Sequence, residues 1–291
     1  MANLFSGIRS LVNLKSQRLI SVMLFKKRGA IRTNFGSYIS PKESEVAGNL
    51  VLHEKLRPLM ERFKSEKVDL PLTRLGSERD GGYVVVDKNY KDSFLISGGI
   101  LNDNNFELAL ANLGARAHQV DYSILAPPVT HPSLTFSAER LVGENSKELA
   151  FDVTLDELVA KVSKEKHSEL LLKLDIEGSE WDIFETCNSL DKFSQIYLEL
   201  HYLDRLANSR YAESSMRALD RLLQSFFPVF ISGNNCCGFV TLGGYVLPRV
   251  MELTLLNRNT YSSIPETQIS INNKYQSQNY ANRAPLVLKN W

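Results

Sequence analysis

LLLKLDIEGSEWDIF, Leu170 to Phe184, is the stretch on which the reading of this chain turns. Its first five residues are apolar except for Lys173, the pattern of a strand buried on both faces, as in a parallel sheet. Asp175, Glu177 and Glu180 follow at its carboxyl end, and a short helix carrying Trp181 and Phe184 comes next. In open α/β sheets, ligands sit outside the carboxyl ends of the strands. Acidic side chains crowded there are costly unless a ligand or partner compensates them, so this end is the first candidate for a site. Trp181 and Phe184 read as core, and Glu180 as stabilising the first turn of its helix.

Upstream, Phe94–Ser97 reads as a short strand running into Gly98 and Gly99, with a helix from Phe106 to Leu113. Strand, glycine turn and helix bring backbone N–H groups and a bare Cα surface against a cofactor. Gly114 closes that helix, and Ala117–Val120 is the next strand, finishing at Asp121. An acid closing the second strand of such a unit suits the two hydroxyls of a ribose. Strands are expected at Leu134–Ser137 and Arg140–Val142, and Thr154-Leu155-Asp156-Glu157 is a capping box opening a helix to Val162.

Downstream, QIYLEL (Gln195–Leu200) reads as a strand ending near Glu199 and His201. A helix from Ser214 to Phe226, a strand at Phe227–Ser232, a polar loop Gly233–Gly238 and a last strand at Val250–Leu256 follow. At the front, residues 44–66 read as a helix that Pro58 kinks or splits. Asp80-Gly81-Gly82 is a turn leading to a strand at Tyr83–Val86, read locally as an ordinary hairpin in which Tyr83 and Arg74 serve as anchors. Strand and helix alternate from Phe94 onward, which argues for an α/β fold: a doubly wound, mostly parallel sheet. The ligand should lie over the strand ends carrying Gly98, Asp121, Asp175 and His201.

The 291 residues divide into a basic extension (1–43), a Rossmann-like domain with a helical lead-in (44–257) and a polar tail (258–291). Hydrophobic residues at 43% and charged residues at 23% suit a buried core, and a net charge of +1 gives no reason to expect nucleic-acid binding. The three cysteines, Cys187, Cys236 and Cys237, have no zinc spacing and suit a reducing, cytoplasmic setting. No apolar run reaches the roughly 18–20 residues of a spanning helix. Arg9, Lys15, Arg18, Lys26, Lys27, Arg28 and Arg32 precede the first acid, Glu43. That extension fits a cap on the domain, a basic amphipathic helix giving peripheral contact with the inner membrane surface, or a transit peptide.

Five of these segments, in order, resemble one family. LLLKLDIEGSEWDIF with the preceding TLDELV looks like the signature of the FkbM-type S-adenosylmethionine-dependent methyltransferases. RLGSERDGGYVVVD (Arg74–Asp87), ISGGILNDNNFELALANLGARAHQVDYS (Ile96–Ser123), YLELHYL (Tyr197–Leu203) and SGNNCCGFVTLGGYVLPRVMELTLL (Ser232–Leu256) support it, most like the branch related to methyltransferase-like 24 proteins. The departure is the first glycine motif, where bulky Ile100 and Leu101 follow Gly98–Gly99. The resemblance implies a class I Rossmann-like domain with one antiparallel strand near the C-terminus, binding S-adenosylmethionine. By matched position it implies cofactor contacts from Gly98, Gly99, Glu107, Asp121, Glu144 and Asp175.

Methyl transfer to oxygen needs an acceptor hydroxyl aligned with the sulfonium methyl and relieved of its proton. On this reading the acceptor is a glycan or small-molecule hydroxyl. His201 is the expected base, because an ordinary imidazole titrates near about 6.5. Asp175 or Glu177 would orient it or replace it, and Asn234 and Asn235 would hold acceptor hydroxyls. This reading uses no metal. Two alternatives stand beside it. One is a metal-dependent hydrolase or other Rossmann-like enzyme using Asp175, Glu177, Glu199 and His201 as ligands. The other is a catalytically silent, membrane-associated binding protein.

Overall fold

The computed structural model describes residues 50–264, 275, 278–283 and 286, so the basic extension, with the lipid contact expected of it, and most of the tail lie outside the described residues. Helix α1 (Leu50–Arg62) runs through Pro58 without a break. A proline inside a helix costs about 3 kcal/mol. Leu56, Leu59 and Met60, with Phe63 just beyond the helix, bury almost completely, and at about 1.5–3 kcal/mol each they outweigh that cost.

Strands β1 (Leu72–Gly76) and β2 (Gly82–Val86) form the antiparallel hairpin expected around Gly81. Then come β3 (Phe94–Gly98), α2 (Asn105–Asn112), β4 (Arg116–Val120), β5 (Leu134–Ser137) and β6 (Arg140–Val142). β7 (Asp152–Thr154) pairs with β6 and leads into α3 (Leu155–Val162), whose capping box between Thr154 and Glu157 is present in both directions. The chain continues through β8 (Leu170–Leu174), α4 (Glu180–Thr186), β9 (Phe193–His201), α5 (Ser209–Ser225) and β10 (Phe226–Gly233). A short hairpin of β11 (Phe239–Leu242) and β12 (Tyr245–Pro248) precedes β13 (Val250–Asn257).

Seven strands form the central sheet in the order β10-β13-β9-β8-β3-β4-β5. β3, β4, β5, β8 and β9 are mutually parallel, while β13 runs antiparallel to both of its neighbours. A parallel sheet growing outward in both directions from β3, with one reversed strand set next to an edge, is the class I Rossmann-like methyltransferase fold. The continuous apolar run of β8 now has its explanation. Leu170, Leu172 and Leu174 pack into the core on one face, and Leu171 packs with Tyr83, Leu95, Phe106 and Tyr197 on the other. Both faces are covered, so the strand has no solvent side to mark with alternation. Trp181 and Phe184 are core, as expected. Among the described residues no helix is long and apolar enough to cross a membrane.

Candidate active site at the strand ends

The described residues contain four non-glycine residues in the left-handed region, and three of them sit just beyond strand ends: Leu101 (φ 38°) after β3, Glu177 (φ 55°) after β8 and Tyr202 (φ 63°) after β9. Such conformations cost about 1–3 kcal/mol each and collect where function requires them. Adjacent strands β3, β8 and β9 therefore deliver their strained turns to one edge of the sheet, with Asp121 at the end of β4 beside them.

At the end of β3 the turn is locked from several sides. The Gly99 N–H donates to Val120 O (3.0 Å) and the Asp175 N–H to Gly98 O (3.0 Å). The Lys173 ammonium donates to the Gly99 carbonyl and lies 5.6 Å from the Tyr83 ring centroid. Behind the turn, Glu107 is buried and accepts from the Ser97 hydroxyl. Desolvation raises its carboxyl pKa, opposed by the charge of Lys173. Glu107 thus supports the glycine turn from within the fold.

Asp121 is more committed than the sequence suggests. Its Oδ2 accepts from the N–H groups of Ile100 (2.9 Å) and Leu101 (2.8 Å), and its Oδ1 from the N–H (2.8 Å) and hydroxyl (2.6 Å) of Ser123. A carboxylate offers about four acceptor positions, so a ribose can be held only by exchanging some of these bonds. Glu144, beyond β6, is exposed, and its N–H donates to Thr186 Oγ1.

Beyond β8 and β9 the acids and His201 come together as expected. His201 is 5% exposed; its Nδ1 lies 3.1 Å from Glu180 Oε1, and its Nε2 lies 3.9 Å from Asp175 Oδ1 and 3.6 Å from Glu177 Oε2. Glu180 is fully buried, and its Oε1 also accepts from the Ile176 N–H. Its role is therefore to fix the imidazole and the turn, rather than merely to stabilise a helix start. Desolvation lowers the His201 pKa, but the charge and hydrogen bond of Glu180, with Glu199 and Asp175, outweigh it and hold the ring well above its ordinary value. A ring held this way keeps its proton more readily than a free imidazole, which counts against His201 as the base the sequence suggests. Asp175, part-exposed at the mouth of β8, turns its Oδ1 toward His201.

Two groups absent from the sequence-based site belong here. Tyr83 donates to Asp175 Oδ2 (3.4 Å). Arg74 reaches to 3.8 Å from Glu252, and its Nε and Nη1 are buried with no hydrogen-bond partner among the described residues. Asn234 donates to Glu199 Oε1 (2.6 Å), beside the site. Asn235 spends its amide on the backbone of Tyr280 and Arg283, tethering the tail. A charged groove of about 760 Å³ between α1 and α5, lined by Arg62, Glu66, Asp220 and Arg258 among others, is built from other elements, and these four charges pair with one another.

Glu199 and Glu252 face each other across β9 and β13. Burial pushes the Glu252 carboxyl up to about 7 despite the charge of Arg74. A folded-state pKa above the unfolded one favours the fold at low pH, and that favour is lost as pH rises through about 7, roughly 3 kcal/mol in all. Glu252→Gln should flatten the fall in stability between about pH 5 and 8 and melt several degrees higher than wild type at alkaline pH. Thermal melts across pH check this; a parallel fall in the variant would contradict it.

No protein-family model matches the chain, and no curated protein matches it. Several solved structures match the chain, two of which follow. One is a chain of a fibrillarin/Nop5p complex, at 12% identity over 67% of this chain and 98% of that one, with a TM-score of 0.36. The other is a provisional S-adenosylmethionine dependent methyltransferase from Listeria monocytogenes, at 9% identity over 58% of this chain and 92% of that one, with a TM-score of 0.33. Likenesses of this size say nothing about chemistry; the fold assignment stands on the strand order.

Proposed function

We propose that the chain is an S-adenosylmethionine-dependent O-methyltransferase acting on a hydroxyl of a glycan or small metabolite. The observation that carries the reading is the sheet itself: a class I methyltransferase strand order whose β3, β4, β8 and β9 ends bring Gly98, Gly99, Asp121, Asp175 and His201 to one edge. The charge at that edge supports it. Asp175 and Glu177 lie at the mouth of that edge, where Lys173 is already spent on a carbonyl, which suits a cationic sulfonium.

The cofactor supplies an electrophilic methyl group. Gly98 and Gly99 would hold the methionine end, Asp121 the ribose in exchange for the N–H groups of Ile100 and Leu101, and exposed Glu144 the adenine edge. Asp175, part-exposed at the end of β8, would accept the acceptor's proton. The Asn234–Glu199 pair beside the site would exchange its hydrogen bond for acceptor hydroxyls, a donor and acceptor mixture that suits a polyol.

Isothermal titration with S-adenosylmethionine and its demethylated product is the direct test. One-to-one binding in the micromolar range is expected, and absence of heat with both ligands sinks the reading. Transfer of labelled methyl to sugar or lipid-linked glycan fractions then identifies the acceptor. Asp175→Asn should keep the product's affinity within a few-fold and lower kcat by about 10²-fold or more. Unchanged turnover would remove Asp175 from the chemistry.

A further inference from the structure

We propose that Asp175, Glu177 and His201 hold a divalent first-row cation at the carboxyl ends of β8 and β9. One donor atom from each of the three lies within 4.8 Å of the other two. At metal–ligand distances of about 2.0–2.2 Å, two ligands on one ion stand about 3–4.4 Å apart. The separations of 3.6 and 3.9 Å from His201 Nε2 to the two carboxylates already fall in that range.

The histidine supplies the independent reason to expect a ligand. It is nineteen-twentieths buried, yet its Nε2 points into the gap between the carboxylates and has no hydrogen-bond partner within 3.5 Å among the described residues. Its other nitrogen is fixed by Glu180, which is in turn anchored by the Ile176 N–H. A carboxylate holding one imidazole nitrogen so that the other faces inward is the outer-sphere arrangement of metal-bound histidines. Asp175 is divided in the same sense: Oδ2 faces the Tyr83 hydroxyl and Lys173, leaving Oδ1 toward the gap. The backbone of Glu177, in the left-handed region, is followed by Gly178 (φ 101°), where a Cβ would strike the Tyr202 ring at 2.3 Å. That packing fixes the turn from which Glu177 extends.

One imidazole and two carboxylates suit manganese, iron or zinc better than calcium, which takes six to eight oxygens. Site occupancy depends on these three side chains alone, whereas a role in the reaction rests on the methyl-transfer reading. On that reading the cation, held through Asp175 Oδ1, would polarise the acceptor hydroxyl as a Lewis acid, and its proton would pass to Asp175 Oδ2.

The test is titration of the chelator-treated full chain with Mn2+, following free Mn2+ by electron paramagnetic resonance. One ion per chain is expected to bind, with affinity lowered at least tenfold by Glu177→Gln and by Asp175→Asn. The Glu177 side chain is 80% exposed, so its variant carries little risk to folding. No saturable binding, or binding that both variants leave unchanged, overturns the proposal. S-adenosylmethionine binding measured on the same samples separates the two ideas: cofactor heat without Mn2+ uptake removes only the cation, and Mn2+ uptake without cofactor heat removes only the methyl transfer.

Discussion

Gly99→Ala is expected to leave little or no folded soluble protein. Gly99 sits at φ 78°, and a Cβ there would stand 1.7 Å from the carbonyl oxygen of Asp175. That oxygen belongs to the neighbouring strand end, held by the hydrogen bond from the Asp175 N–H to Gly98 O, while Gly99 itself is tied to Val120 on the other side. Relief therefore requires β3 to separate from β8 or β4 at the centre of the sheet. Disrupting buried packing and backbone bonds together belongs with the exceptional losses above about 4–5 kcal/mol. Gly238 is the control. Its φ is 76°, but no atom lies within 4 Å of its would-be Cβ, so alanine there costs only the left-handed strain of about 1–2 kcal/mol. Expression yield and circular-dichroism melts of the two variants check the contrast. If Gly99→Ala melts within a few degrees of Gly238→Ala, the close approach of the two strand ends is wrong.

That approach was legible in the sequence only in part. The glycine pair after a short strand pointed to a turn, and the apolar run of β8 to a doubly covered strand, because both signals are local. The capping box at Thr154 was legible for the same reason. The start of α5 was not: a helix was expected from Ser214, whereas Asn208 caps it at Ser209 by accepting from the N–H groups of Arg210 and Tyr211. Its first turns carry few core residues, so periodicity is silent there and only the Asn cap marks them. The β11–β12 hairpin also escaped, although Gly243–Gly244, both at positive φ, are the two-residue turn that joins its strands.

Within the candidate site, the residues at strand ends could be named from topology, but their partnerships could not. Glu180 and His201 meet across 21 positions, and Tyr83 and Asp175 across 92. No spacing rule links such pairs; β-strand order does. His201 looked like a base because an ordinary imidazole titrates near about 6.5 and it closes a strand among the acids. Folded, it faces Glu180, Glu177 and Asp175 from another strand end, and their charge makes the ring hold a proton more readily than a free imidazole. Lys173 looked like a solitary interruption of a buried strand, yet it braces the carbonyl of Gly99.

Asp121→Asn is expected to fold and to lose cofactor affinity by about thirtyfold or more. In wild type both oxygens of Asp121 are filled by N–H and O–H donors, two of them from the glycine turn at Ile100 and Leu101. A ribose diol brings two more donors, so binding must exchange the turn's N–H groups for sugar hydroxyls. The asparagine oxygen can still serve Ile100 and Leu101, and the Ser123 hydroxyl can rotate to accept from the new amide, so the fold survives. What the amide lacks is a second acceptor and a charge. Hydrogen bonds to a charged partner contribute about 1.5–3 kcal/mol each, and every 1.4 kcal/mol is about tenfold in affinity. The exchange itself leaves a second trace. The Ile100 and Leu101 amides should be protected from hydrogen exchange in the free protein and lose protection when the cofactor binds, the reverse of what a ligand that merely covers the turn would do. If the variant melts like wild type and binds S-adenosylmethionine within threefold of it, Asp121 serves only to pin the turn, and the ribose must be held elsewhere.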